Sequence, residues 1–218
     1  MYPLIIYCYD AYCDWCYGFS PVITRLEQEY RDRLTIEVLS GGMILPEQPK
    51  PVAVLADYLK EVADQVSAVT GARYGSDYLW HISHPGESDW YPSSEKAAIA
   101  LCILKDYYPL LAVEFACTLL YALHFEGRDL CDDEAYRHIL EKYGIPAPDF
   151  YRSLHSDTYR QIALEEFALC RRLNAAAFPR LFLQVSDNKL YTLADGYTGY
   201  TTIQSRIDDI LKKESMFN

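Results

Sequence analysis

An α/β fold with a large helical insertion is predicted by three observations. A strand–helix–strand unit occupies the first 50 residues. A stretch of about 120 residues then carries helical patterning and no strand. Strand patterning returns after residue 174 and is followed by one last helix. This order predicts one discontinuous α/β domain, residues 1–50 and 174–218, interrupted by an all-helical domain, residues 51–173.

The first strand is the apolar run Leu4 to Tyr9, whose Ile and Tyr content fits a buried central strand. Asp10-Ala11-Tyr12 makes the turn. A helix follows from about Cys13 to Tyr30, with Cys16, Phe19, Ile23, Leu26 and Tyr30 forming one apolar stripe. Leu34 to Leu39 alternates as a second strand. A strand–helix–strand unit of this length prefers a parallel pair and places its chemistry at the carboxyl end of the first strand. Gly41-Gly42 and the proline cluster Pro46, Pro49 and Pro51 close this half.

In the insertion, Val52 to Val69 reads as a helix ending near Gly71, and Arg73 to Tyr91 as aromatic and irregular. Pro92-Ser93-Ser94-Glu95 starts a helix that runs to about Tyr107. Pro109 opens another through Tyr121. A further helix spans Asp132 to Gly144, and a short one Pro148 to His155. The last runs from Thr158 to Leu173, with Asn174 as its stop. Beyond it, Arg180 to Val185 and Lys189 to Leu193 form a hairpin around Ser186-Asp187-Asn188. Thr201 and Thr202 are placed to cap a final helix that carries Ile203, Ile207, Ile210 and Leu211 on one face.

Composition narrows the function classes. A net charge of −11 argues against a nucleic-acid backbone as partner. No run approaches 18 apolar residues, so no membrane span is expected. The start, Met1-Tyr2-Pro3, has no basic segment of the secretory type. Of seven cysteines, Cys8, Cys102, Cys117, Cys131 and Cys170 lie scattered in apolar patterns, without close pairing, and read as buried free thiols. Both features point to a reducing, cytoplasmic setting.

The remaining two cysteines, in Cys13-Asp14-Trp15-Cys16, stand where the first strand gives way to the helix. A Cys at the first turn of a helix faces unpaired backbone N–H groups and the positive end of the helix dipole, which favour thiolate over thiol. The second Cys, one turn on, is positioned to attack a mixed disulfide formed by the first. Cys16 belongs to the apolar stripe and Cys13 does not. Cys16 is therefore expected to face inward as the resolving thiol, and Cys13 to face solvent as the nucleophile. The same spacing occurs in zinc sites, but no second CxxC and no His pair at ligand spacing accompany it, so no metal is expected. Asp14 and Trp15 shape the site: a carboxylate beside Cys13 opposes thiolate formation, and Trp15 shields the pair or stacks on substrate. Tyr12, Tyr17 and Tyr197 are further candidates for an aromatic, substrate-binding rim. His81 and His84 on the irregular segment, and Arg128 in the turn Glu126 to Asp129, are read as structural.

The stretch Cys13-Asp14-Trp15-Cys16-Tyr17-Gly18-Phe19-Ser20-Pro21 resembles the CxWCYGFSP element of a group of protein-disulfide isomerase-like proteins in the DsbA-like branch of the thioredoxin superfamily. Gly41-Gly42, Pro92-Ser93-Ser94-Glu95, Gly127-Arg128-Asp129-Leu130 and Phe178-Pro179 resemble that group as well, so the likeness covers nearly the whole chain. It implies a thioredoxin fold with a helical insertion, and a cis Phe178–Pro179 bond lying against the dithiol. It also implies a thiol–disulfide oxidoreductase or isomerase acting on protein or small disulfides through a mixed disulfide. No bound cofactor is implied, with glutathione as a candidate redox partner. Strongly oxidising members carry proline and histidine between the cysteines. Asp14-Trp15 in their place predicts a less oxidising protein. Two alternatives share the architecture: a glutathione-linked isomerase or transferase, which usually presents a serine nucleophile, and a redox-inactive, chaperone-like binding module.

Overall fold

In the computed structural model, residues 3–45, 48 and 50–215 are described. The chain runs β1 (Leu4–Tyr9), α1 (Asp14–Tyr30) and β2 (Thr35–Ser40). It continues through α2 (Ala56–Thr70), α3 (Ser76–Ser83), α4 (Ser94–Tyr107) and α5 (Ala112–His124). Then come α6 (Arg137–Tyr143), α7 (Ala147–Leu154), α8 (Asp157–Arg172), β3 (Arg180–Ser186), β4 (Lys189–Asp195) and α9 (Tyr200–Ser215). Of the proline cluster, Pro46 and Pro49 lie outside the described residues, as do Met1 and Tyr2. Pro51 opens a short 3-10 turn, Val52–Val54.

The four strands form one mixed sheet in the order β2-β1-β3-β4. β1 pairs in parallel with β2 and antiparallel with β3, while β3 and β4 form an antiparallel hairpin. A strand between two neighbours with both faces covered needs apolar residues at successive positions, and β1 supplies them. Ile5, Tyr7 and Tyr9 enter the large core with α1; Ile6 and Cys8 enter a smaller one with Leu39, Phe182, Cys170 and Ala175. The apolar stripe of α1 is buried throughout: Cys16, Phe19, Ile23 and Leu26 have no exposed surface and Tyr30 has 2%.

The helical block packs against α1 and the sheet. α2 and α5 pack on α1, α5 and α8 pack on β2, and α8 lies against α4. Residues 97–104 of α4 are all buried, which suits a helix at the centre of the block. Gly71 and Gly144 end α2 and α6 in the left-handed conformation that a side chain resists. Two local expectations are corrected. The segment Arg73 to Tyr91 is not irregular throughout, since Ser76–Ser83 is the helix α3; at two turns and with its aromatics on several sides, it shows little periodicity in sequence. Thr201 and Thr202 lie inside the first turn of α9 rather than capping it, because Gly199 accepts their turn's first hydrogen bonds from Thr202 N and Ile203 N.

The outer edge of β2 is closed by side chains from the block. Lys105 of α4 donates to the Val38 carbonyl at 2.9 Å and pairs with Glu166 of α8, whose other oxygen accepts from Ser40 N at 2.8 Å. These side chains are only 20% and 10% exposed. Breaking one partner of a buried pair typically costs about 3–5 kcal/mol, because it strands the other charge. Glu166→Ala is therefore expected to lower Tm by roughly 10 °C in thermal denaturation, and Glu166→Gln, which retains an acceptor for Ser40, by less. Equal small shifts for both would show that the pair does not hold this edge.

Candidate active site

Cys13 is the N-cap of α1, in extended conformation, and its sulfur accepts from Cys16 N at 3.3 Å. Cys13 N in turn donates to Asp10 O at 3.1 Å, closing the turn between β1 and the helix. As a thiol, Cys13 donates to the carbonyl of Phe178 at 3.4 Å. The sulfur thus has an acceptor for its protonated form and a main-chain donor for its anion. Cys16 has no exposed surface. Burial first, and then contact with Cys13, push its thiol well above the ordinary range. One thiol meets a stabilising N–H while the other is held protonated behind it, the asymmetry a two-step exchange requires.

One expectation is corrected here. Cys13 does not face open solvent; it is 5% exposed. The Phe178-Pro179 segment, remote in sequence, lies over it because β3 runs back antiparallel beside β1, with Cys8 opposite Arg180. The Phe178–Pro179 peptide bond is cis. Gly41, at the end of β2, makes room for the Phe178 ring: a Cβ on Gly41 would sit 1.9 Å from Phe178 Cζ.

Behind the dithiol is a carboxyl that the sequence reading treated only as part of a turn. Asp10 is 1% exposed. It accepts from Tyr12 N at 3.0 Å, Ser94 Oγ at 2.9 Å and Met43 N at 2.7 Å. Burial raises the pKa of its carboxyl above the ordinary value, and these hydrogen bonds draw it back. Asp10 therefore ties the end of β1, the segment after β2 and the start of α4 together. The motif Pro92-Ser93-Ser94-Glu95 contributes through Ser94, which also accepts from Ile44 N at 2.9 Å.

The other predicted site residues separate into two groups. Trp15, half-buried, meets Tyr197 with ring centroids 6.0 Å apart. Tyr12 and Tyr17 do not join them. Tyr12 is buried, with its hydroxyl 3.4 Å from Cys131 Sγ, and Tyr17 donates to Arg73 O at 2.7 Å and stacks on His124. Asp14 is not a solvated charge beside Cys13 either. It is 4% exposed and directed into the helical block, where Tyr78 donates to it at 3.3 Å. His124, which had no sequence signal, stands 3.9 Å from the Asp14 carboxyl. His81 is held by Ser88 and stacked on Trp90, His84 is stacked on Trp80, and Arg128 pairs with Glu126. The scattered cysteines are free, but Cys8 and Cys170 are neighbours rather than isolated. They share the small core, and the Cys170 thiol is raised first by contact with Cys8 and then by burial. Among the described residues, no cluster of three or more His, Cys, Asp or Glu side chains is arranged to hold a metal ion.

No protein-family model and no curated protein matches the chain. Solved structures do. A candidate protein disulfide isomerase from Nitrosomonas europaea is 23% identical, with a TM-score of 0.83 over 98% of this chain and 99% of that one. The cytosolic disulfide reductase DsbM from Pseudomonas aeruginosa, which has also been solved with GSH, is 23% identical with a TM-score of 0.78, over 96% and 98% of the two chains. A 2-hydroxychromene-2-carboxylate isomerase is 15% identical with a TM-score of 0.64, over 99% of each chain. The fold is the DsbA-like thioredoxin fold with a helical insertion.

The fit of Gly41 to Phe178 is directly testable. Overpacking of this kind costs about 1–3 kcal/mol, so Gly41→Ala is expected to lower Tm by roughly 5 °C and to change the alkylation rate of Cys13, whose sulfur meets the Phe178 carbonyl. An unchanged Tm and rate would contradict the contact.

Proposed function

We propose that the chain is a thiol–disulfide oxidoreductase in which Cys13 is the nucleophile and Cys16 the resolving thiol. The observation that carries this reading is the sulfur of Cys13 held between Cys16 N and the Phe178 carbonyl, with the Cys16 thiol buried one turn behind. In the reductive direction, the Cys13 thiolate attacks a substrate disulfide, forms a mixed disulfide and releases one substrate thiolate. Cys16 then loses its proton and attacks the Cys13 sulfur, closing the Cys13–Cys16 disulfide and releasing the second substrate thiolate. Two equivalents of a thiol such as glutathione return the pair to the dithiol and leave as the oxidised dimer. No bound cofactor is needed for these steps.

In this reading the thioredoxin-fold part, residues 1–50 and 174–218, carries the dithiol, and the helical domain, residues 51–173, covers one flank of it. Phe178, whose carbonyl meets the reacting sulfur, the adjoining Pro179, and the paired rings of Trp15 and Tyr197 would contact a protein or small-molecule disulfide. Among the described residues no helix is long and apolar enough to cross a membrane. A cytoplasmic, reducing setting fits the seven free cysteines and agrees with the cytosolic reductase among the similar structures. It favours reduction or isomerisation over net oxidation.

Cys13→Ser is expected to abolish insulin reduction and the refolding of scrambled substrate. Cys16→Ser is expected to accumulate a mixed disulfide at Cys13, visible as an adduct in intact-protein mass spectrometry. Full activity of Cys13→Ser would overturn the proposal. Glutathione-dependent isomerisation that survives Cys16→Ala would favour the isomerase alternative instead.

A further inference from the structure

Asp14 follows the nucleophile directly, yet its side chain turns away from solvent into a pocket of the helical block. Tyrosines and one histidine surround it there. Tyr78 from α3 donates to Oδ1 at 3.3 Å. His124, the last residue of α5, presents Nε2 at 3.9 Å from the same oxygen. Tyr74, just before α3, and Tyr58 of α2 are close enough to feel the charge of the carboxyl. The His124 ring has no exposed surface and is stacked on Tyr17 of α1 with centroids 4.9 Å apart. Asp10, at the end of β1, faces Cys16 rather than this pocket.

The protonation pattern of His124 follows from its partners. Nδ1 lies 2.9 Å from the Leu120 carbonyl, which only accepts, so Nδ1 carries a hydrogen. Nε2 is buried with no hydrogen-bond partner, and the nearest acidic oxygen is that of Asp14. At such a depth an unpaired carboxylate or an unpaired imidazolium costs free energy that pairing of the two relieves. One proton held between the two leaves the pocket without net charge, whichever group carries it.

We propose that His124 is a positioning residue for the Cys13 reaction: it shares one proton with Asp14 and so neutralises the carboxyl next to the reacting sulfur. This rests on the reading of Cys13 as nucleophile. Burial acts on both members in the supporting sense, pushing the Asp14 carboxyl up and the His124 imidazole down, and each opposes the shift of the other. Tyr74 and Tyr78 are raised above the ordinary tyrosine range by burial and keep their protons. The shared proton therefore sets the local charge. Loss of it as pH rises places an anion beside Cys13 and opposes its thiolate. The arrangement lets a carboxyl occupy the residue after the nucleophile without slowing exchange near neutral pH.

The test is the alkylation rate of Cys13 by iodoacetamide across pH, read by peptide mass spectrometry in the full chain. At pH 7, His124→Gln is expected to slow alkylation about tenfold, the effect of an unneutralised neighbouring charge. Adding Asp14→Asn in the same chain is expected to recover most of the loss. A purely structural histidine would give no such recovery. A folded His124→Gln protein that alkylates at the original rate, or a double variant as slow as the single one, would overturn the proposal. The ring resonance of His124 in NMR supplies an independent readout in the unsubstituted protein. Its titration midpoint is expected to move on Asp14→Asn, and an unmoved midpoint would likewise overturn the sharing. Absence of Cys13 alkylation in the unsubstituted protein would instead overturn the oxidoreductase reading, leaving the NMR titration to decide the Asp14–His124 pair.

Discussion

The site depends on one junction: the sulfur of Cys13 at the start of α1, meeting the amide of Cys16 on one side and the carbonyl of Phe178 on the other. The first contact is local and follows from the helix, whose first amides have no main-chain acceptor. The second is not local. It exists because β1 lies between β2 and β3, so that the chain entering β3 passes across the end of β1. Gly41 at the end of β2 admits the Phe178 ring, and Asp10 fixes the turn beneath by collecting donors from three segments. Sheet order thus becomes chemistry at the carboxyl end of the first strand.

The helical block does more than cover the sheet. Lys105 and Glu166 occupy the Val38 carbonyl and the Ser40 amide at the edge of β2, groups of the kind that an open edge offers to another chain. Tyr17, Tyr74, Tyr78 and His124 form an aromatic wall against the first turns of α1, and Asp14 is anchored in it. Through that wall the block reaches the residue next to the nucleophile. An insertion placed far along the chain therefore holds the side chain of the residue that follows the nucleophile.

Much of this was legible in the sequence, and the limits have a physical cause. The Leu4 to Tyr9 run, the stripe through Cys16 and Phe19, and the helix stops at Gly71 and Gly144 are periodic or conformational signals, carried by neighbouring residues. The inward thiol was legible for the same reason. The exposure of Cys13 was misread because Phe178, which covers it, belongs to another segment. Asp14 was read as a carboxylate acting on Cys13 alone, because its position on a helix says nothing about a histidine at the end of α5. Tyr12 was placed on a rim, although Cys131 meets its hydroxyl in the interior. Helix α3 is too short and too mixed in its aromatics for its period to stand out. Local pattern reports which face a side chain leaves from; only the tertiary arrangement reports what it meets.

The central claim is that Cys13 and Cys16 form a working two-electron couple set by these contacts. Its most direct test is equilibration of the protein across a series of glutathione buffers, with the oxidation state of the two cysteines read by alkylation and mass spectrometry. The account predicts one reversible two-electron transition at a potential clearly more reducing than the about −120 mV of strong disulfide oxidants, absent in Cys16→Ala. No transition over the accessible range, or a midpoint near that oxidising value, would contradict it.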